Sequence, residues 1–286
     1  MMLTVALGPL TMALNHLLLI CALALASLVG WRVAKRGGDN PESVLFGLFL
    51  LGLLSARLGF VIQYWAMYRE DLLQVIDLRD GGFLLWPGLL AVAIGAFCLG
   101  YRRPALRRPL GWGLLSGGLF WLLGSLASHL YDQGTQLPEM SLRKASGQSV
   151  ELTDYRGKPL VINLWATWCP PCRREMPVLQ QAQGDYPDIT FLFVNQGEAP
   201  QTVVTFLATT GLNLSHVLFD SGGQLAQKVG SMALPTTLFY NAEGRLVGSH
   251  LGELSRASLS HALQSFEHAP APAAPSPTRN VACDLC

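Results

Sequence analysis

The chain has 286 residues, of which 50% are hydrophobic and only 14% charged, and its formal net charge is +1. A charged share well below the ~25% of ordinary soluble proteins points to a membrane portion, as does the mean hydropathy of +0.33. The near-zero net charge gives no electrostatic case for a nucleic-acid partner, and the length suits about two domains of roughly 150 residues.

The apolar residues are concentrated in residues 1–130. Four runs, about Leu10–Val33, Val44–Met67, Phe83–Tyr101 and Leu110–Leu130, each approach the ~20 residues that cross a bilayer core as a helix. No Lys or Arg precedes Arg32, so the basic start of a signal peptide is missing and the first run is read as a retained span. Arg32, Lys35 and Arg36 follow the first run, and Arg102, Arg103, Arg107 and Arg108 follow the third. The loop between the second and third is mixed: Arg69, Glu70, Asp71, Asp77, Arg79 and Asp80. Basic loops stay on the cytoplasmic side. The chain is therefore expected to start outside, cross a bacterial inner membrane four times, and deliver its second half to the periplasm.

Arg57 lies inside the second run, where a charge is costly without a partner. It is read as paired within the bundle or snorkelling, with a lipid head group or quinone contact as the alternative. Cys21 and Cys98, in the first and third runs, sit ~7 Å apart along the membrane normal at ~1.5 Å per helical residue. They are read as small hydrophobes, with an electron relay as the alternative.

Residues 131–138 form a short polar joint. Met140–Lys144 and Ser149–Leu152 then flank Ala145-Ser146-Gly147-Gln148 as a hairpin. Leu160–Trp165 and Ile189–Asn195 read as buried strands; Arg173 to about Gln183 and Thr202–Thr209 read as helices, the latter stopped by Gly211. Thr237–Asn241 and Leu246–His250 alternate around an Ala-Glu-Gly turn, and Arg256–Phe266 closes the unit as a helix. Strands interleaved with helices make residues 139–267 an α/β domain. Residues 268–286 are a Pro/Ala-rich tail, extended by composition, that ends in Cys283-Asp284-Leu285-Cys286.

The run Val161 to Trp165 feeds through Ala166-Thr167-Trp168 into Cys169-Pro170-Pro171-Cys172, and a helical pattern follows. Strand, dithiol, helix is the order a thiol–disulfide exchanger needs. The thiolate is the nucleophile, and a helix N-terminus stabilises its charge through unpaired N–H groups. Proline suits that first turn because its missing N–H would have no partner there. Cys169 is expected to attack, as the more exposed thiol at the strand end. Cys172, one turn inside, resolves the mixed disulfide. A permanently closed structural disulfide is the alternative. Structural zinc normally takes four Cys/His ligands, and no second pair lies inside the domain, so no metal is expected.

Leu160 to Cys172, with Asn195-Gln196-Gly197-Glu198, Leu234-Pro235-Thr236-Thr237 and Asn241-Ala242-Glu243-Gly244-Arg245, resembles the TlpA/ResA-like class of membrane-tethered bacterial thioredoxins. The resemblance runs from about Leu137 to Phe266. It implies a thioredoxin fold and a thiol–disulfide oxidoreductase that reduces protein disulfides in the periplasm. No cofactor is implied beyond the dithiol. The implied partners are protein disulfide clients, apocytochrome cysteines among them, membrane lipid, and a membrane electron donor of the DsbD/CcdA type. Pro235 is implied to be cis and to face the dithiol, with Leu234, Thr236, Trp168, Pro170 and Pro171 framing the client. Glu198 stands where the class places an acidic residue, able to hold or relay the proton that Cys172 must lose; a solvated loop glutamate is the alternative.

In the first half, Ala56-Arg57-Leu58-Gly59-Phe60-Val61 and Gly81 to Leu90 resemble part of the prolipoprotein diacylglyceryl transferases. Where that family carries His-Gly-Gly the chain has Trp86-Pro87-Gly88, and the family's later arginine-containing signature has no counterpart. The departure implies a scaffold without transferase chemistry. Cys283 and Cys286 read as an accessory dithiol exchanging with Cys169, or as a Cu(I) clip. A soft-metal handling protein is thus the second functional reading, and a disulfide oxidase or isomerase another.

Overall fold

A small hairpin and four long helices come first. The structure is a computed structural model that describes residues 4–267 apart from Gly8, Pro9, Glu70, Gly134 and Met232. Strands β1 (Thr4–Leu7) and β2 (Leu10–Ala13) pair antiparallel and lead into α1 (Leu14–Ala34). The first span therefore starts later than Leu10, because Leu10–Ala13 is taken up in strand pairing. Helix α2 (Glu42–Gln63) is followed by the single turn α3 (Trp65–Tyr68), then α4 (Leu85–Arg102) and α5 (Arg107–Gln133). All four long helices are long and apolar enough to cross a membrane.

Lipid tails supply no hydrophobic drive between helices, so close backbone approach across small residues holds them together. Helix α1 buries Ala22, Ala26, Gly30 and Ala34, one small residue every fourth position. Opposite them, a Cβ on Gly117 of α5 would come within 2.7 Å of the Ala22 carbonyl oxygen, and one on Gly113 within 2.9 Å of that of Ala26. Bulky Phe46, Ile94, Phe97 and Leu119 face outward. The turn after α1 packs on the turn between α4 and α5, with Gly38 against Ala105 and Pro109. The two basic clusters thus share one end of the bundle.

The second half is built on a sheet. Strands β3 (Ser141–Lys144) and β4 (Ser149–Glu151) form the hairpin. Then come β5 (Leu160–Trp165), α6 (Pro170–Asp185), β6 (Thr190–Gln196), α7 (Pro200–Thr210), β7 (Val217–Asp220), α8 (Gln224–Lys228), β8 (Thr236–Tyr240), β9 (Leu246–Leu251) and α9 (Arg256–Glu267). The order across the sheet is β4-β3-β7-β6-β5-β8-β9. Central β5 pairs parallel with β6 and antiparallel with β8. It is buried on both faces: Val161 and Trp165 join one core with Met176, Leu179 and Leu263, while Leu160, Ile162 and Leu164 join another with Leu137, Leu152 and Leu225. Period-2 alternation puts Asn163 on the first face, under α6.

Strand β7 and helix α8 are additional to the elements read from sequence. Their boundary is set by Asp220, whose carboxylate accepts from the N–H groups of Gln224 and Leu225 at 2.9 and 2.8 Å. Gly211 ends α7 in the left-handed region (φ 68°), where a glycine meets no Cβ penalty.

The two halves meet along more than the joint. Ala257 of α9 packs into a cluster with Phe60, Val61, Tyr64, Tyr68 and Leu84 from the membrane half. The Tyr64 hydroxyl and His261 Nδ1 are 2.9 Å apart. Arg57 is 4% exposed and ion-paired to Asp80 at 2.9 Å. Every guanidinium N–H is used on the loop between α3 and α4: the carbonyls of Gln74, Val75, Asp77 and Gly82 accept the bonds that Asp80 does not. Arg57 therefore organises residues 74–82, and this pairing leaves no donor for lipid or quinone.

Candidate active site

Strand β5 delivers the backbone through Ala166-Thr167-Trp168 to Cys169, which is the N-cap of α6. Its sulfur accepts the Cys172 N–H at 3.3 Å, a bond that one of the helix's unpaired N–H groups provides. Pro170 opens the first turn. Cys169 and Cys172 form a disulfide with their Cα atoms 5.3 Å apart. Cys169 is 3% exposed and Cys172 fully buried, so Cys169 is the more exposed of the two, by a small margin. Both sulfurs belong to the core that contains Trp165, itself fully buried. Trp168, by contrast, is 67% exposed, and Pro170 is exposed beside it.

The Leu234–Pro235 peptide bond is cis. Pro235 is buried and its carbonyl accepts the Gly252 N–H at 3.0 Å. Half-buried Leu234 packs against the core that holds the dithiol. Thr236 departs from its expected part in client contact. It is fully buried, and its hydroxyl is engaged by the Ala233 carbonyl at 2.7 Å and the Ser231 hydroxyl at 2.6 Å.

Glu198 lies next to the dithiol loop and is held there by three groups. Its carboxylate accepts from the Thr167 N–H (2.7 Å), the Thr167 hydroxyl and the Asn195 amide (2.6 Å). It is thus a bonded anchor of the loop and not a free surface glutamate.

Another carboxyl group escaped the reading of the sequence. Glu175, one turn beyond Cys172 on the buried face of α6, is fully buried. Oε1 accepts from the Asn163 amide at 2.8 Å, and Oε2 from the Leu254 N–H at 2.9 Å. Burial pushes its pKa up to about 8, although those two hydrogen bonds pull the other way. The Asn163 oxygen has no partner, so the same amide offers an acceptor to the protonated carboxyl and a donor to the ionised one. The signal was present: Asn163 shares the face of Val161 and Trp165, and Glu175 stands i+3 from Cys172. Next to it, exposed Arg174 pairs with Glu253 at 2.6 Å.

Cys21 and Cys98 are both free and on exposed helix surfaces, so they form no pair. Cys283 and Cys286 lie outside the described residues. Among the described residues no group of three or more His, Cys, Asp or Glu is placed to hold a metal ion.

Residues 133–249 match the AhpC/TSA family, and residues 2–111 match prolipoprotein diacylglyceryl transferase. Thiol-disulfide oxidoreductase ResA of Halalkalibacterium halodurans is 35% identical over 124 residues, covering 43% of this chain and 70% of that protein. ResA of Bacillus subtilis is 30% identical over 130 residues, covering 45% and 72%. Among solved structures, a secreted Mycobacterium tuberculosis disulfide oxidoreductase homologous to E. coli DsbE aligns at a TM-score of 0.41 with 25% identity, over 44% of this chain and 96% of that one.

Proposed function

The chain belongs to the family of ResA thiol-disulfide oxidoreductases, and from that premise we propose that it reduces protein disulfides on the periplasmic side of a bacterial inner membrane through Cys169 and Cys172. The observation that carries this reading is the seat of the dithiol: Cys169 caps α6 and receives the Cys172 N–H.

In the reduced protein, the helix terminus stabilises a Cys169 thiolate. This thiolate attacks one sulfur of a client disulfide, and the other client sulfur leaves as a thiolate that takes a proton from water. Glu175, ionised, accepts the proton of the Cys172 thiol. The Cys172 sulfur then attacks Cys169 Sγ, closes the enzyme disulfide and expels the second client thiolate. Two electrons have passed to the client, and a membrane donor of the DsbD/CcdA type restores the dithiol. Trp168, Pro170, Pro171, Leu234 and the Pro235 backbone frame the client, while Glu198 positions the loop that carries Cys169.

Residues 1–130 serve as a membrane scaffold, 131–138 as the joint, 139–267 as the redox unit and 268–286 as the tail. The side of the membrane is supported by the two basic clusters, which share the bundle end where the turn after α1 meets the turn before α5. Basic loops remain cytoplasmic, and outside the cytosol protein disulfides persist as substrates. Labelling Cys169 in intact reduced cells with a membrane-impermeant maleimide, together with a redox titration of the dithiol, tests the reading. Labelling from outside and a potential at or below about −230 mV are expected; protection from the reagent, or a potential near about −120 mV, would overturn it.

A further inference from the structure

Four consecutive residues between β9 and α9 bond to three different parts of the molecule: the cis-proline segment, helix α6 twice, and the loop before α4. Gly252 N–H donates to the Pro235 carbonyl at 3.0 Å. Glu253 accepts from Arg174 Nε and Nη2 at 2.8 and 2.6 Å. Leu254 N–H donates to Glu175 Oε2 at 2.9 Å. The Ser255 hydroxyl donates to Asp80 Oδ2 at 3.0 Å. Three of these anchors belong to the dithiol site, and the fourth belongs to the membrane half.

Asp80 is itself firmly held. Oδ1 accepts from Arg57 Nη1 at 2.9 Å and from the Gly82 N–H at 3.1 Å; Oδ2 also accepts from the Tyr68 hydroxyl at 2.7 Å. The same loop presses on the redox half at a second point. Gly81, at φ +63°, sits where a Cβ would come within 2.9 Å of His250 Cε1.

We propose that Asp80 is a positioning residue for the dithiol reaction: it holds Ser255, and through the Gly252–Ser255 strap it fixes the Leu254 N–H that donates to Glu175. The proposal rests on Glu175 as proton acceptor for Cys172. The groups facing that carboxyl are Asn163 from β5, with Thr237 of β8 behind it, and Glu253 and Leu254 from the strap; Cys172 is buried three residues earlier on the same helix. A donor to the ionised form favours that form. Slackening the strap therefore makes Glu175 keep its proton to higher pH and delays Cys172.

The test uses the full chain in detergent micelles and measures the reduction of a fluorescent peptide disulfide against pH. Ser255→Asp keeps a residue type that caps α9 well but sets a like charge against Asp80. Ser255→Ala removes the hydroxyl without adding charge. The expected result is an alkaline shift of the acidic limb by roughly half a pH unit or more in Ser255→Asp, or about threefold slower turnover on that limb, with a smaller shift of the same sign in Ser255→Ala. Ser258→Ala disturbs the same helix start without touching Asp80 and is expected to leave the limb in place. An unmoved limb in both Ser255 variants, or an equal shift in Ser258→Ala, overturns the proposal. Glu175→Gln in the same series separates the two readings. A wild-type profile there removes the proton acceptor, and this proposal with it; loss of the limb there, with none of the shift in the Ser255 variants, overturns the coupling alone.

Discussion

Asp80 and Ser255 stand 175 positions apart in the chain and 3.0 Å apart in the structure. One belongs to the loop that Arg57 gathers above the membrane helices, the other to the start of the last helix of the redox domain. The redox domain is thus docked on its membrane half as well as tethered to it.

Arg57→Met is expected to destabilise the chain by about 3–5 kcal/mol, because it leaves the Asp80 carboxylate buried without its cation. Thermal unfolding in detergent measures this. Adding Asp80→Asn to the same protein should recover much of the loss, since no unpaired charge then remains. Arg57→Lys should not rescue it, because an ammonium has three donors for the acceptors that the guanidinium now serves.

Glu175 gives stability a pH dependence of a definite sign. Its folded-state pKa, about 8, lies above the ordinary 4.5, so the folded state holds a proton that the unfolded chain has lost. Stability should therefore fall as pH rises from about 4.5 to about 8 and level off above that. In Glu175→Gln this slope should be absent, leaving the variant more stable than wild type above pH 8 by on the order of 1–3 kcal/mol. Melting of the oxidised proteins across that pH range checks both points.

Glu198→Gln separates the two carboxyl groups. The amide oxygen can still accept from the Thr167 N–H and the Asn195 amide, which share Oε2. Its NH2 then faces the Thr167 hydroxyl, which must turn from donor to acceptor, so a stability loss of about 0.5–1 kcal/mol is expected. The acidic limb of peptide reduction should stay where it is, in contrast to Glu175→Gln.

Cys172→Ser should accumulate a mixed disulfide between Cys169 and protein clients, visible on non-reducing gels and removed by dithiothreitol. Cys169→Ser should accumulate none, because Cys172 lies inside the first turn of α6 with no exposed surface, whereas Cys169 caps the helix at its end.

Trp168→Ala should cost under about 0.5 kcal/mol of stability, as its side chain is largely in solvent. Protein clients should nonetheless be reduced on the order of fivefold less efficiently in kcat/KM, the loss of more than ~1 kcal/mol typical of an interface aromatic. The rate with dithiothreitol should not change.

Much of the molecule was legible in the order of its residues. The four apolar runs, the hairpin at Gly147, the strand into Cys169 and the helix stop at Gly211 all depend on neighbours within a few positions. Run length, residue shape and backbone freedom act over that range, so local order suffices to write them. Strand β7 was less legible, because four residues between two loops carry little periodicity. Its place in the sheet comes from pairing with β6 and β3.

The tertiary structure alone decided what the charged and polar residues do. Arg57 could be seen to need a partner, but only the folded loop supplies Asp80 and the carbonyls. Thr236 sits in a telling motif, yet burial turns its hydroxyl inward. Glu175 looks like one more helix-surface glutamate until α6 lies on β5 and shuts it in with Asn163. A hydrogen bond between distant residues leaves no periodic trace in either segment, and the cost of burying a carboxyl exists only once the chain has closed around it.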